Sequence, residues 1–370
     1  MSEAARPFPS HSPAARRGDV LQPLAAALIA LALGFAVQPV TGTRPDWDLV
    51  LRILDKLWTV TLVGAIGLVA GRLIWLALVV RSPRPTRDLV GWLRRLALPD
   101  GPLPALATTV GTFFVFAMGV GVLKGAIAVL APFSWDIALS RLDRVLHFGR
   151  LPHEWLALLL AWPLALSALN ILYHVWFFLQ IGSIFAIAFA ARDLRRQFLL
   201  AYFLTWLVGG FLIAMAVSSA GPVYVARLGL GDAYVPLTDA LAAAARDYPM
   251  WALDVQERLW SGFTGASTGS AGISAFPSMH VATATLFVLA ARRVGRPLFL
   301  ASLAFWATTL LGSIVLAWHY AVDGYAGTLI AMVIWRGVGR RQGHLAIGGS
   351  DISTASGLWP VSSPNRVPRS

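Results

Sequence analysis

Apolar residues along this chain come in blocks rather than alternating with polar ones. Runs of Leu, Ala, Val, Ile, Phe and Trp near the ~20 residues that carry a helix across a bilayer fall at about 21–40, 57–80, 105–130, 171–190, 198–218, 278–292, 297–317 and 320–337. The 278–292 block is short. A further stretch, 155–170, is broken by Pro163 and is either a ninth hydrophobic element lying in the interface or a further span. The pattern predicts an all-α polytopic membrane helix bundle, since only helices satisfy their own backbone polar groups in hydrocarbon segment by segment.

The polar intervals set the organisation. Residues 1–19 predict a disordered cytoplasmic tail. Residues 20–100 predict two N-terminal spans with a basic cytoplasmic loop, 105–337 a six-span unit with a long outer loop at 219–277, and 341–370 a second disordered tail. Within the outer loop, Thr238–Trp260 is expected to form an amphipathic surface helix, and Ser261–Ser274 a flexible Gly/Ser-rich stretch able to open and close over a site. Gly67-x-x-x-Gly71 and Gly121-x-x-x-Gly125 predict close helix packing.

Composition agrees with the blocks. Of 370 residues, 57% are hydrophobic and 13% charged, and the mean hydropathy is +0.67. Thirty Lys and Arg against 18 Asp and Glu leave a net charge of +12, which in a soluble chain would suggest nucleic acid. Here the cations cluster between apolar blocks, at Arg81–Arg95, Arg192–Arg196, Arg292–Arg296 and Arg336–Arg341. All four clusters fall on the cytoplasmic side if eight spans leave both termini inside, as in a bacterial inner membrane protein. The expected partners are therefore membrane lipids, with no nucleic acid. The chain has no cysteine, which excludes disulfides, thiolate metal sites and a cysteine nucleophile.

On that topology His280 and His319 lie at membrane boundaries on the same outer face. His280 belongs to Phe276-Pro277-Ser278-Met279-His280, where Pro277 and Ser278 signal a helix start with free N–H groups for an anion. His319 precedes Asp323 by four residues, one helical turn, so a carboxylate can orient the imidazole and raise its basicity. Such an imidazole can attack phosphorus to give a phosphohistidine while the second protonates the leaving oxygen, with no metal and no cofactor.

These residues resemble the second and third signature motifs of the type 2 phosphatidic acid phosphatase superfamily, which includes lipid phosphate phosphatases and, on a related helical fold, vanadium haloperoxidases. The resemblance covers roughly 105–337 and implies His319 as nucleophile, Asp323 as its orienting partner and His280 as general acid. Two features depart from the pattern: the first motif, a Lys with Arg-Pro seven residues on, is absent, and the Arg expected six residues before the nucleophile is Ser313. That loss resembles the inositol-phosphoceramide synthase branch, the inositolphosphotransferase-like members, as do the segments 143–152, 170–176 and 221–228.

Phosphate binding then falls to Ser278 and to Arg227 with Tyr224 in the outer loop, where a guanidinium can hold phosphate bidentately. Arg144 and Arg150, near His147 and His153, are weaker candidates. Tyr173, His174 and Trp176 either contact lipid or pack. The expected activity is phosphoryl transfer on a phosphorylated lipid at the outer leaflet, with water or a lipid or sugar hydroxyl as acceptor. The alternatives are a transporter or channel, disfavoured because ionisable groups below the membrane boundary, Lys124 and His174 among them, are few, and an inactive lipid-binding scaffold.

Overall fold

The computed structural model describes residues 13–42, 47–98, 101–265 and 272–348. Among the described residues every regular element is helical. The helices are α1 Pro13–Thr41, α2 Trp47–Leu78, α3 Pro85–Ala97, α4 Pro102–Leu130, α5 Asp136–Leu146, α6 Pro163–Ala188, α7 Arg192–Ala216, α8 Val235–Ala244, α9 Trp251–Phe263, α10 Met279–Ala291, α11 Arg296–Val315 and α12 Ala321–Gly348. Five segments, Val20–Thr41, α4, α6, α7 and α11, are long and apolar enough to cross a membrane, while α10 is apolar but shorter. Each predicted apolar block lies in one of the helices.

Proline explains several starts: Pro85, Pro102, Pro163 and Pro297 stand in the first turns of α3, α4, α6 and α11, where a missing N–H costs nothing. Pro163 accordingly divides the stretch expected as one hydrophobic element. Residues 152–160 form a short 3₁₀ turn and one α turn, and 163–170 become the first turns of α6. The expected single helix Thr238–Trp260 is two, α8 and α9, with Pro249 in the gap between them. The Gly/Ser-rich stretch also differs from expectation at its ends. Ser261–Phe263 are helical, and Ala275 and Phe276 are tied to Ser219 through backbone N–H bonds of 2.9 and 3.1 Å; residues 266–271 lie outside the described set. Helix extends into both expected tails, back to Pro13 and on to Gly348.

The core is built on one side from Phe116, Leu123, Phe198, Tyr202, Phe203 and Leu286, and α1 joins it through Ala26, Ala27 and Ala30. Of the two N-terminal helices, α1 packs on α4 and α7 while α2 packs on α3. The close helix packing is not at the expected glycine pairs. Gly67, Gly71 and Gly121 face open space, whereas a Cβ on Gly119 would stand 2.4 Å from the backbone of Ala30. Small residues there let α1 and α4 touch backbone to backbone. A second cluster, including Leu139, Tyr224, Leu237, Leu316 and Tyr320, gathers α5, α8 and the turn between α11 and α12 at one end of the bundle.

Candidate active site

Two helix starts meet at that end. Ser278 is the N-cap of α10, its hydroxyl accepting from the Val281 N–H at 3.4 Å, which places His280 in the first turn. The Ser278 N–H donates to the Asp323 carbonyl at 3.0 Å, so the start of α10 is tied to the first turn of α12. His319 is not on a helix, contrary to the one-turn spacing argument. It stands in the turn before α12, its N–H donating to the Ser313 carbonyl at 3.0 Å. It still meets Asp323 because Asp323, three residues after the cap position Tyr320, reaches back to the Tyr320 N–H (3.1 Å) as in half of a capping box. The same oxygen, Oδ2, lies 3.3 Å from His319 Nδ1. Asp323 is fully buried, and its Oδ1 has no hydrogen-bond partner among the described residues.

His280 is held by aromatic rings: Tyr173 stacks on it at 4.8 Å and Trp176 packs at 4.2 Å between ring centres. The Trp176 indole N–H donates to Thr283 Oγ1 at 2.7 Å, locking that ring in place. The imidazoles of His280 and His319 are 6.0 Å apart, centre to centre. Both line a cavity of about 360 Å³ together with Lys124 of α4, His174 of α6, Trp206 of α7 and Trp318. Burial pushes the His319 imidazole down from 6.5 to about 3, with Lys124 adding to the shift, so the ring is neutral and its Nε2 carries a free lone pair.

The other expected phosphate ligands are placed differently. Tyr224 lines the cavity, but its hydroxyl donates to the Gln256 carbonyl at 2.9 Å. Arg227 is not among the lining residues; it pairs with Glu257 at 2.8 Å and lies 5.6 Å from the Trp260 ring, bracing the 222–228 turn against α9. Ser278 sits behind the cavity wall with its hydroxyl committed to the cap. Arg144, Arg150, His147 and His153 are likewise absent from the lining; Arg150 lies over Trp155 at 5.2 Å, and His147 Nε2 is 3.0 Å from the Tyr325 hydroxyl.

Lys124 is what sequence reasoning missed. A signal is present in the sequence: Ala131 and Pro132 follow at seven and eight residues, so a lysine and a proline stand at the spacing of the first motif, with Ala131 at the position of its arginine. Tyr173, His174 and Trp176 also belong to the cavity wall.

The PAP2 superfamily profile matches residues 137–336, more than half of the chain, and spans both histidines and Asp323 but not Lys124. Neither a curated protein nor a solved structure matches.

Proposed function

Because this chain belongs to the PAP2 superfamily, we propose that it is a membrane-embedded enzyme transferring phosphoryl groups on phosphorylated lipids through a phosphohistidine. The observation that carries the proposal is the convergence of Lys124, His280 and His319 on one cavity, with Asp323 buried directly behind His319.

The chemistry follows from the geometry. Asp323 occupies Nδ1 of His319, which leaves Nε2 to face a phosphorus atom between the two rings. Attack forms the N–P bond as the bond to the leaving oxygen breaks, and His280 supplies the proton that oxygen needs. Water or a hydroxyl then attacks the phosphohistidine, gives up its proton to His280 and restores the free imidazole. Lys124 supplies the cation for the phosphate oxygens, its attraction to them strengthened by the low dielectric of the cavity.

The departures in the first and third motifs favour the inositolphosphotransferase-like branch, in which the acceptor is a lipid or cyclitol hydroxyl. The four arginine clusters favour an inner membrane orientation with both termini cytoplasmic and the cavity at the outer leaflet. The test is purified protein in lipid vesicles, offered a panel of lipid phosphates and inositol phospholipids, with released phosphate and new lipids both measured. Released phosphate alone identifies a phosphatase, and a new phospholipid identifies a transferase. Neither product, with His319 intact, overturns the proposal.

A further inference from the structure

Helix α5 has inverted polarity. Asp136, Leu139 and Asp143 form its buried face, while Ile137, Leu142, Val145 and Leu146 point outward. Burying two carboxylates and exposing four large apolar residues is unfavourable unless the acids are fully hydrogen-bonded and the outer face meets lipid. Both acids are so bonded. Asp136 accepts from the Gly221 N–H at 2.9 Å, the Ala220 N–H at 3.0 Å and the Tyr320 hydroxyl at 2.9 Å. Asp143 accepts from the N–H groups of Ala321 at 2.8 Å and Val322 at 3.0 Å.

Asp143, together with Asp323, which takes the Tyr320 N–H, therefore holds three consecutive N–H groups at the start of α12, immediately after His319, while Asp136 takes the Tyr320 hydroxyl. In a free helix start those groups are an anion site. Here they are spent on the protein itself. Through Ala220 and Gly221, Asp136 also holds the segment 220–223, which lies against the turn bearing His319: the Val223 N–H donates to the Ala317 carbonyl at 3.0 Å, and a Cβ on Gly221 would come within 2.6 Å of the Trp318 carbonyl oxygen.

We propose that Asp136 and Asp143 are positioning residues for His319: acting through the Tyr320 hydroxyl and the first turn of α12, they fix the direction of the imidazole. Neither lines the cavity. This rests on His319 being the nucleophile, and the test separates the two ideas. Full-length wild type, Tyr320→Phe and Asp143→Asn are compared in lipid vesicles. The measurements are kcat and KM on a lipid phosphate, thermal unfolding, and the rate at which diethyl pyrocarbonate modifies His319, followed by mass spectrometry. Tyr320→Phe removes only the hydroxyl link and is expected to lower kcat on the order of tenfold, with KM and unfolding temperature unchanged. Asp143→Asn leaves one N–H facing an amide and is expected to lower kcat on the order of a hundredfold. In both, His319 is modified faster than in wild type because its turn is loosened. Unchanged kcat and unchanged His319 reactivity in Tyr320→Phe overturn the proposal, whether or not Asp143→Asn folds. If wild type shows no turnover yet His319 reactivity rises in the variants, the positioning stands and the phosphoryl-transfer function falls.

Discussion

At the scale of single residues, the four groups around the cavity make separable contributions. His319→Ala is expected to abolish turnover and to prevent trapping of covalent phosphate, which acid quenching with a labelled substrate measures. Asp323→Asn keeps the nucleophile but loses control of its tautomer, so partial activity is expected. His280→Ala is severe on a lipid alkoxide leaving group, and an aryl phosphate, which needs less protonation, recovers part of the rate. Lys124→Gln is expected to lower kcat/KM by about 1.5–3 kcal/mol, the range for hydrogen bonds to a charged group, mainly through KM. Arg227→Gln breaks an exposed pair with Glu257 and is expected to change stability by less than about 1 kcal/mol. An equal loss of kcat/KM in the Lys124 and Arg227 variants would contradict the assignment of the phosphate cation.

At the scale of elements, the site depends on how closely α12 approaches α10. Gly327 makes that approach possible, because a Cβ there would stand 2.5 Å from the Ser278 carbonyl oxygen at the cap that sets His280. Gly327→Ala is expected to cost about 1–3 kcal/mol by overpacking and to lower kcat more than a core substitution of equal cost far from the cavity. Gly221→Ala combines two penalties, a φ of +101° and the contact with the Trp318 carbonyl. It is expected to lower the unfolding temperature measurably in detergent. Wild-type stability in both variants would show that the two helix starts have slack. The wide π-helical stretch Thr205–Ile213 of α7 faces the start of α10: a Cβ on Gly209 would lie 3.6 Å from Pro277 and Met279, an ordinary packing distance, and one on Gly210 a tighter 3.3 Å from Met279.

At the scale of the whole molecule, topology and pH are the accessible variables. Introduced one at a time into this cysteine-free chain, Ser270→Cys is expected to react with an impermeant maleimide in sealed cells and Ser353→Cys is not, which tests the orientation derived from the arginine clusters. The reverse result would put the cavity on the other face. For pH, burial lowers the proton affinity of both His319 and His153 in the folded protein. Their unfolded forms bind protons at the ordinary value of 6.5, so their stabilising effect is complete above it and is lost as pH falls below it. Burial raises the Asp143 carboxyl, which acts in the opposite sense only near the ordinary carboxylate range. The unfolding temperature is therefore expected to fall from about pH 7 to about pH 5. A flat profile would mean that the two imidazoles are hydrated in the folded state.

The sequence by itself determined the membrane bundle, because blocks of apolar residues bounded by arginines have one stable arrangement in a bilayer. It also determined the candidate histidines and Asp323, because Pro-Ser-Met-His and His-x-x-x-Asp are local patterns whose chemistry is written within five residues. The positions of helix breaks follow local rules too: Pro163 starts α6 and Pro249 separates α8 from α9. The partners of those residues were decided by tertiary structure. Lys124 is 156 positions from His280 along the chain, and the packing of α4 against α6 and α7 is what brings it to the cavity. Arg227 had the right chemistry in the right loop, and packing gave it to Glu257 instead. Asp136 and Asp143 stand in a predicted outer loop with no local sign of burial, and the fold turns them inward onto the start of α12. The physical reason is common to all three: a hydrogen bond or ion pair is chosen by distance in space, and in a bundle of this size those distances are set by how the helices pack.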